Sequence, residues 1–372
     1  MKWVFAVCVA FTAYAYMGYP LWAYVRSRLG PRPVRRAAIV PRISIVVAVH
    51  NEASTLPRKL ENLAGLDYPA ELCEIIVVSD GSTDSTPEFL KNFSGRCLRA
   101  VILPEHQGKA VALNRGVESA TGEIIVFTDA RQEIEPKALR NMISAFADPE
   151  VGCVSGELML GDRRTQRAEG RGVGLYWQLE KCIRKWESDA GSVVGATGAL
   201  YAARKDLLAP LPPGTILDDV LTPLQVCRRG GRVVFDASAR AWDKVAPPDR
   251  EFRRKVRTLT GNYQLLQLAP WVLSRSNPLR FEFVSHKLSR LVAPFALILL
   301  AVSSVLASGT IYKAVALLQV LFYSLALLAF ADLPLGWVKR LGNVALTFLM
   351  LNLAAAVALL YFIGRKREMW VQ

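Results

Sequence analysis

Residues 43–52, ISIVVAVHNE, set a seven-residue run rich in Ile and Val against an abrupt polar triplet, and EIIVVSDGSTDST (74–86) and EIIVFTDARQ (123–132) repeat the pattern. Nearly continuous β-branched runs of this length are the signature of strands covered on both faces. RAVIL (99–103) and VGCVSG (151–156) read the same way, with helical stretches between them at about 54–64, 85–93, 108–120 and 136–147. Repeated βα units predict an α/β fold with a mostly parallel sheet.

In such sheets ligands bind beyond the carboxyl ends of the strands. Those ends are acidic here: HNE (50–52), SDGSTDST (79–86) and TDARQ (128–132). Ser82, Asp84 and Thr86 are good helix N-caps, but capping does not require Glu52, Asp80 and Asp129 to recur at the same end of three strands. The recurrence predicts a site. No GxxxxGK[ST] segment is present, which disfavours a P-loop ATPase, and the glycines at 170, 172 and 174 do not make a GxGxxG turn after a strand.

The ends of the chain are apolar. Of 372 residues 52% are hydrophobic, and residues 3–25 form an uncharged run of 23, enough to cross a hydrocarbon core of about 30 Å. No small-residue cleavage site closes it, so it reads as an uncleaved anchor. Arg26, Arg28, Arg32, Arg35 and Arg36 follow it against a lone Lys2, which places the N-terminus outside and the remainder in the cytoplasm. Runs at 291–312, 314–331 and 341–364 predict three further spans, the first two as a tight hairpin or as one long kinked helix. Four crossings put Arg365, Lys366 and Arg367 on the disfavoured side, a conflict in which the first anchor takes precedence. The stretch 263–290 mixes short apolar pieces with cations and reads as interfacial helices, with Trp271 and Phe283 facing lipid. The net charge of +14 gathers largely beside the spans, and without a nucleic-acid-binding signature it points to headgroups rather than to nucleic acid. Six scattered Cys without a CxxC pair argue against a disulfide framework or zinc site.

AVHNE (48–52), SDGSTD (79–84), GKAVALNRG (108–116), TDAR (128–131), GATGALYAAR (195–204) and ILDDV (216–220) occur in an order that resembles the membrane-integrated family 2 glycosyltransferases, the group of cellulose, chitin and hyaluronan synthases. The layout is most similar to the bacterial chitooligosaccharide synthase type. The resemblance implies a GT-A type domain over 40–260, between an anchor at 1–28, interfacial helices at 261–290 and spans at 291–364. It implies an inverting transfer from a nucleotide-sugar, UDP-linked by expectation, to a saccharide or lipid-linked acceptor at the inner membrane, during surface polysaccharide synthesis and beside export components. Two alternatives are addition of one sugar to polyprenyl phosphate and a non-catalytic scaffold subunit.

By the same resemblance Ala48, Glu52, Asp80 and Lys109 contact the donor, and Asp129 holds Mg²⁺ or Mn²⁺. Arg131 stands where the family has a second Asp, so the ion has fewer protein ligands or the guanidinium takes over part of its neutralising role. Asp219 becomes the base, with Asp218 beside it; two adjacent carboxylates repel, which raises one pKa. A plain alternative is that either Asp caps the helix through 220–228. REFRRKVRTLTGNYQLL (250–266) stands in place of the family's QxxRW segment, with Arg254, Arg257 and Thr258 at its Gln, Arg and Trp positions. Arg257 is the candidate for the pyrophosphate, and Thr258 cannot stack on a sugar. Thr197, Gly198, Tyr176 and Trp177 are candidates for the acceptor side; at helical spacing the aromatics equally suit a core.

Overall fold

A computed structural model describes residues 1–93, 98–162, 167–168, 173–245, 247–331 and 337–364. The anchor is helix α1 (Lys2–Leu29). The expected βα alternation follows as β1 (Ile43–Val49), α2 (Leu56–Ala64), β2 (Cys73–Asp80), α3 (Thr86–Asn92), β3 (Leu98–Leu103), α4 (Lys109–Ser119) and β4 (Ile124–Phe127). Next come β5 (Glu133–Ile134), α5 (Ala138–Ser144), β6 (Val151–Asp162), β7 (Arg167–Ala168), α6 (Val173–Ala190), β8 (Tyr201–Arg204), α7 (Asp218–Arg228), β9 (Arg232–Asp243) and α8 (Pro248–Leu268). Helices α9 (Arg280–Leu306), α10 (Thr310–Phe330) and α11 (Trp337–Ile363) complete the described chain.

The sheet runs β3-β2-β1-β4-β8-β6-β9-β5, with β7 off β6. Strands β3, β2, β1 and β4 are mutually parallel, so their carboxyl ends share one edge. Beyond them the sheet is mixed: β8 is antiparallel to β4 and β6, while β6 and β9 are parallel. Strand β6 is twice the expected length, and β8 and β9 are strands that the apolar periodicity does not announce. In β9, RVVFDASARAWD, charges interrupt the apolar run, which hides a strand whose two halves face different surroundings. Helices cover both faces, giving one cluster built on Ile45, Val47, Leu60 and Met142 and a second on Val46, Ile76, Leu113 and Leu221.

All four apolar runs form helices long enough to cross a membrane. Helix α10 packs on α11 along one side and leaves Leu317, Leu318 and Leu321 more than half exposed on the other, as lipid-facing residues are in a bilayer. The expected hairpin turns at 307–309. Small residues let the helices approach: a Cβ on Gly342 of α11 would lie 2.9 Å from that of Ala329. The stretch 263–290 differs in detail from its reading. Residues 280–290 form the first turns of α9 itself, and Phe283 is fully buried in the second cluster. Trp271 packs against that cluster, with the Arg228 guanidinium 4.8 Å over its ring. Trp271 and Phe283 therefore seal a protein core, while Leu273, Phe281 and Val284 of the same stretch stay exposed. A buried node also ties α1 and α9 to α6: Glu187 accepts from Tyr19 Oη (2.5 Å) and contacts His286 Nδ1 (2.7 Å), and Glu180 pairs with Arg290 (2.6 Å).

Candidate active site

The turns after β1 and β2 are stitched together by Asn51, a residue in the left-handed region (φ 55°). Its amide oxygen accepts from the backbone N–H of Thr83 (2.8 Å) and Asp84 (3.3 Å), and its own N–H donates to Ser82 Oγ (3.1 Å). Gly81 permits the turn: at φ +58°, a Cβ there would sit 2.1 Å from the His106 backbone N. Asp80 is buried and accepts from the N–H groups of Gln107 and Gly108, both at 2.8 Å, with His106 Nδ1 at 2.9 Å. Its carboxylate therefore fixes the turn that launches α4. Glu52 is half-buried, with its N–H donating to Thr86 Oγ1 (3.1 Å). Ala48 offers only a small apolar wall within β1.

The residue after Gly108 is Lys109, whose Nζ reaches Asp129 Oδ1 at 2.8 Å and Asp218 Oδ1 at 3.2 Å. Because β2, β1 and β4 are adjacent and about 4.8 Å apart, Asp80 and Asp129 stand on one edge and are joined through the 107–109 turn. Burial works against the Lys109 charge, but Asp129 and then Asp218 outweigh it and hold the amine well above the lysine range. Burial likewise opposes the Asp129 charge, yet Lys109, Arg131 and Lys59 hold its carboxyl below the usual range.

Asp218 and Asp219 both lie in the first turn of α7, whose N-cap is Leu217 and uses no side chain. Neither carboxylate caps that helix. Asp218 is buried and accepts from Tyr201 Oη (3.3 Å). Asp219 Oδ2 accepts from the Gly198 N–H (3.0 Å). Burial first, then the Asp218 charge, push the Asp219 carboxyl up to about 6, against the pull of Lys109 and Arg184. Gly198 marks where the groups converge: a Cβ there would be 3.3 Å from Asp219 Oδ2 and 3.8 Å from Asp129 Oδ2.

Arg257 of α8 is coupled to the same carboxylates: burial lowers its guanidinium, while Asp218, Asp129 and Asp219 raise it. Arg254 sits at the rim, 4.0 Å from Asp243, and the exposed Thr258 only bonds back to the Arg254 carbonyl (3.0 Å). Thr197 and Trp177 line one narrow cleft with Glu157, Lys181 and Arg184. Tyr176 is on α6, but its side chain lies outside the described residues, as do residues 365–372. Sequence reasoning missed Tyr201, Arg184 and Lys59. Lys59 did leave a signal: 56, 59, 60 and 63 share the apolar stripe of α2, so a lysine there is buried. Burial lowers its amine to about 7, against Asp129 and Glu133.

Among the described residues no group of three or more His, Cys, Asp or Glu side chains could hold an ion unaided. The Gly198 gap nevertheless presents Asp129 and Asp219 oxygens, hard donors of the kind Mg²⁺ and Mn²⁺ accept when substrate phosphates complete the shell. Asp129 is an oxygen ligand that the chain could offer such an ion.

Comparison with known proteins bears on the fold that carries this site. Residues 44–209 match the family model described as Glycosyl transferase family 2. Poly-beta-1,6-N-acetyl-D-glucosamine synthase of Staphylococcus aureus (strain COL) is 27% identical over 248 residues, covering 65% of this chain and 60% of that protein. The Staphylococcus epidermidis synthase of the same description is 26% identical over 238 residues, covering 62% and 57%. A mannosyltransferase from Pyrobaculum calidifontis, solved with GDP-Man and Mn²⁺, superposes with a TM-score of 0.70 at 24% identity over 98% of this chain and 99% of that one. The mixed sheet is accordingly of GT-A type, and the segment 44–209 that resembles the family 2 glycosyl transferases has one apolar helix before it and three after.

Proposed function

We propose that the protein is an inverting glycosyltransferase that moves a sugar from a nucleotide-sugar, UDP-linked, to a membrane-associated saccharide in surface polysaccharide synthesis. The convergence of Asp129 and Asp219 on the Gly198 gap, with Lys109 joining Asp129 to Asp218, carries this reading. Asp219 takes the proton from the acceptor hydroxyl: its carboxyl, raised to about 6, is mostly deprotonated at neutral pH yet basic enough to accept a proton. The hydroxyl attacks the anomeric carbon from the face opposite the leaving diphosphate, and one displacement inverts that carbon. Lys109, Arg257 and Arg131 set positive charge against the diphosphate as its bond to the sugar breaks. A Mg²⁺ or Mn²⁺ held at Asp129 supplies further positive charge there when bound.

The likeness to the staphylococcal synthases supports a saccharide product, and the run of arginines after α1 supports a catalytic unit (40–260) on the cytoplasmic side of the inner membrane, with 261–290 at its surface. Export components are then the partners expected for a polymer. A second reading, addition of one sugar to polyprenyl phosphate, is favoured by Thr258, which puts no aromatic ring at the acceptor entrance. Membranes containing the protein should be incubated with radiolabelled nucleotide-sugars, with and without EDTA, and the products sized. A ladder supports polymer synthesis and a single addition supports the lipid acceptor. Absence of incorporation from every donor would leave only a scaffold role.

A further inference from the structure

Lys59 is 2% exposed on α2 and takes no part in the chemistry above. A buried lysine must find acceptors, and both of its acceptors come from the turn that carries Asp129 and Arg131. Its Nζ donates to Thr128 Oγ1 (2.9 Å) at one end and to the Gln132 carbonyl (2.8 Å) at the other. The Thr128 hydroxyl, having accepted from Lys59, donates its own hydrogen to the Ala199 carbonyl (2.8 Å). Ala199 adjoins Gly198, whose N–H holds Asp219. At the far end Gln132 Nε2 donates to Asp243 Oδ2 (2.8 Å), the carboxylate beside Arg254.

One amine thus braces the turn that carries Asp129 and Arg131 and connects it to the Gly198 turn that holds Asp219. We propose that Lys59 is a positioning residue for donor binding: by holding both ends of the 128–132 turn it aims Asp129 and Arg131 at the diphosphate, and through Thr128 it sets the gap at Gly198. The proposal rests on the glycosyltransferase reading and deepens it. Loss of the amine should weaken capture of the diphosphate more than it slows the chemical step, because Asp219 and its Gly198 bond remain. Gln at 59 can offer two N–H donors without the charge, whereas Met offers none.

The test uses the full-length protein in detergent, titrated calorimetrically with UDP in Mn²⁺, with melting curves alongside. Lys59→Met should weaken UDP at least about tenfold, and Lys59→Gln should recover it to within about threefold. Thr128→Val, which breaks the same brace from the other side, should match Lys59→Met, with the double variant no weaker than either single one, the non-additivity of a shared network. In transfer assays the donor KM should rise by the same factor while kcat moves less than about threefold. If folded Lys59→Met binds UDP as wild type does, or if the two losses simply add, the proposal is overturned. Should Met at 59 prevent folding, Thr128→Val and Lys59→Gln decide it by the same criteria. Failure of the wild type to bind either UDP or GDP would instead sink the donor reading itself, and this proposal with it.

Discussion

Asp219→Asn replaces the proposed base with a group of equal size. The amide oxygen can still accept from the Gly198 N–H, now 3.0 Å away, so the 196–200 turn keeps its anchor and only the proton acceptor is lost. General-base catalysis contributes about 10²- to 10⁴-fold, so kcat should fall by that factor, about 3–5 kcal/mol of barrier. Wild-type kcat/KM should rise with pH and level off above about 6, while the variant's residual rate should lack that bend. Stability should move the other way. A carboxyl raised from 3.8 to about 6 binds its proton more tightly folded than unfolded, so its favourable contribution is present at pH below 3.8 and lost as the pH climbs through 6. Asn removes that loss, and the variant should be more stable than wild type at pH 8 by on the order of 1–3 kcal/mol. Initial rates from radiolabelled donor between pH 5 and 9, with melting curves at matching pH, read both effects. A variant that transfers within about threefold of wild type at pH 7.5, or that keeps the bend near 6, refutes the assignment.

Lys109→Met strips Asp129 and Asp218 of their shared cation. Breaking a fully buried pair costs about 3–5 kcal/mol, but a third of this side chain is exposed (34%), so about 1–2 kcal/mol is expected by thermal melting, together with weaker UDP binding. Gly198→Ala puts a methyl 3.3 Å from Asp219 Oδ2; kcat/KM should drop at least about tenfold with little change in melting temperature, since the gap and not the core is filled. Gly81→Ala forces a Cβ to 2.1 Å from the His106 backbone N at φ +58°, and a loss of more than about 3 kcal/mol should show as poor folded yield and early melting. Arg131→Asp restores a second carboxylate two residues after Asp129 and should lower the Mn²⁺ concentration that half-saturates UDP binding; an unchanged requirement would mean that position 131 does not face the ion.

Much of this molecule was legible along the chain because its signals are local. Apolar period two, or none, marks β1, β2, β3 and β4; uninterrupted apolar length marks the four membrane-length helices; and three acidic strand ends mark one edge of a parallel sheet. Periodicity needs only neighbours, so those elements came out within a few residues of their bounds. What the sequence could not decide is which distant groups share a charge. Lys109 meets both Asp129 and Asp218 only because α4, packed on β1 and β2, and α7, packed on β6, β8 and β9, bring their first turns to the end of β4, and that meeting separates two adjacent aspartates, one paired with Lys109 and Tyr201, the other pushed up by burial and aimed at the Gly198 gap. Phe283 turned inward and Lys59 became a brace for the same reason: burial and partner choice belong to long-range packing, and the desolvation that shifts a pKa exists only once that packing has formed.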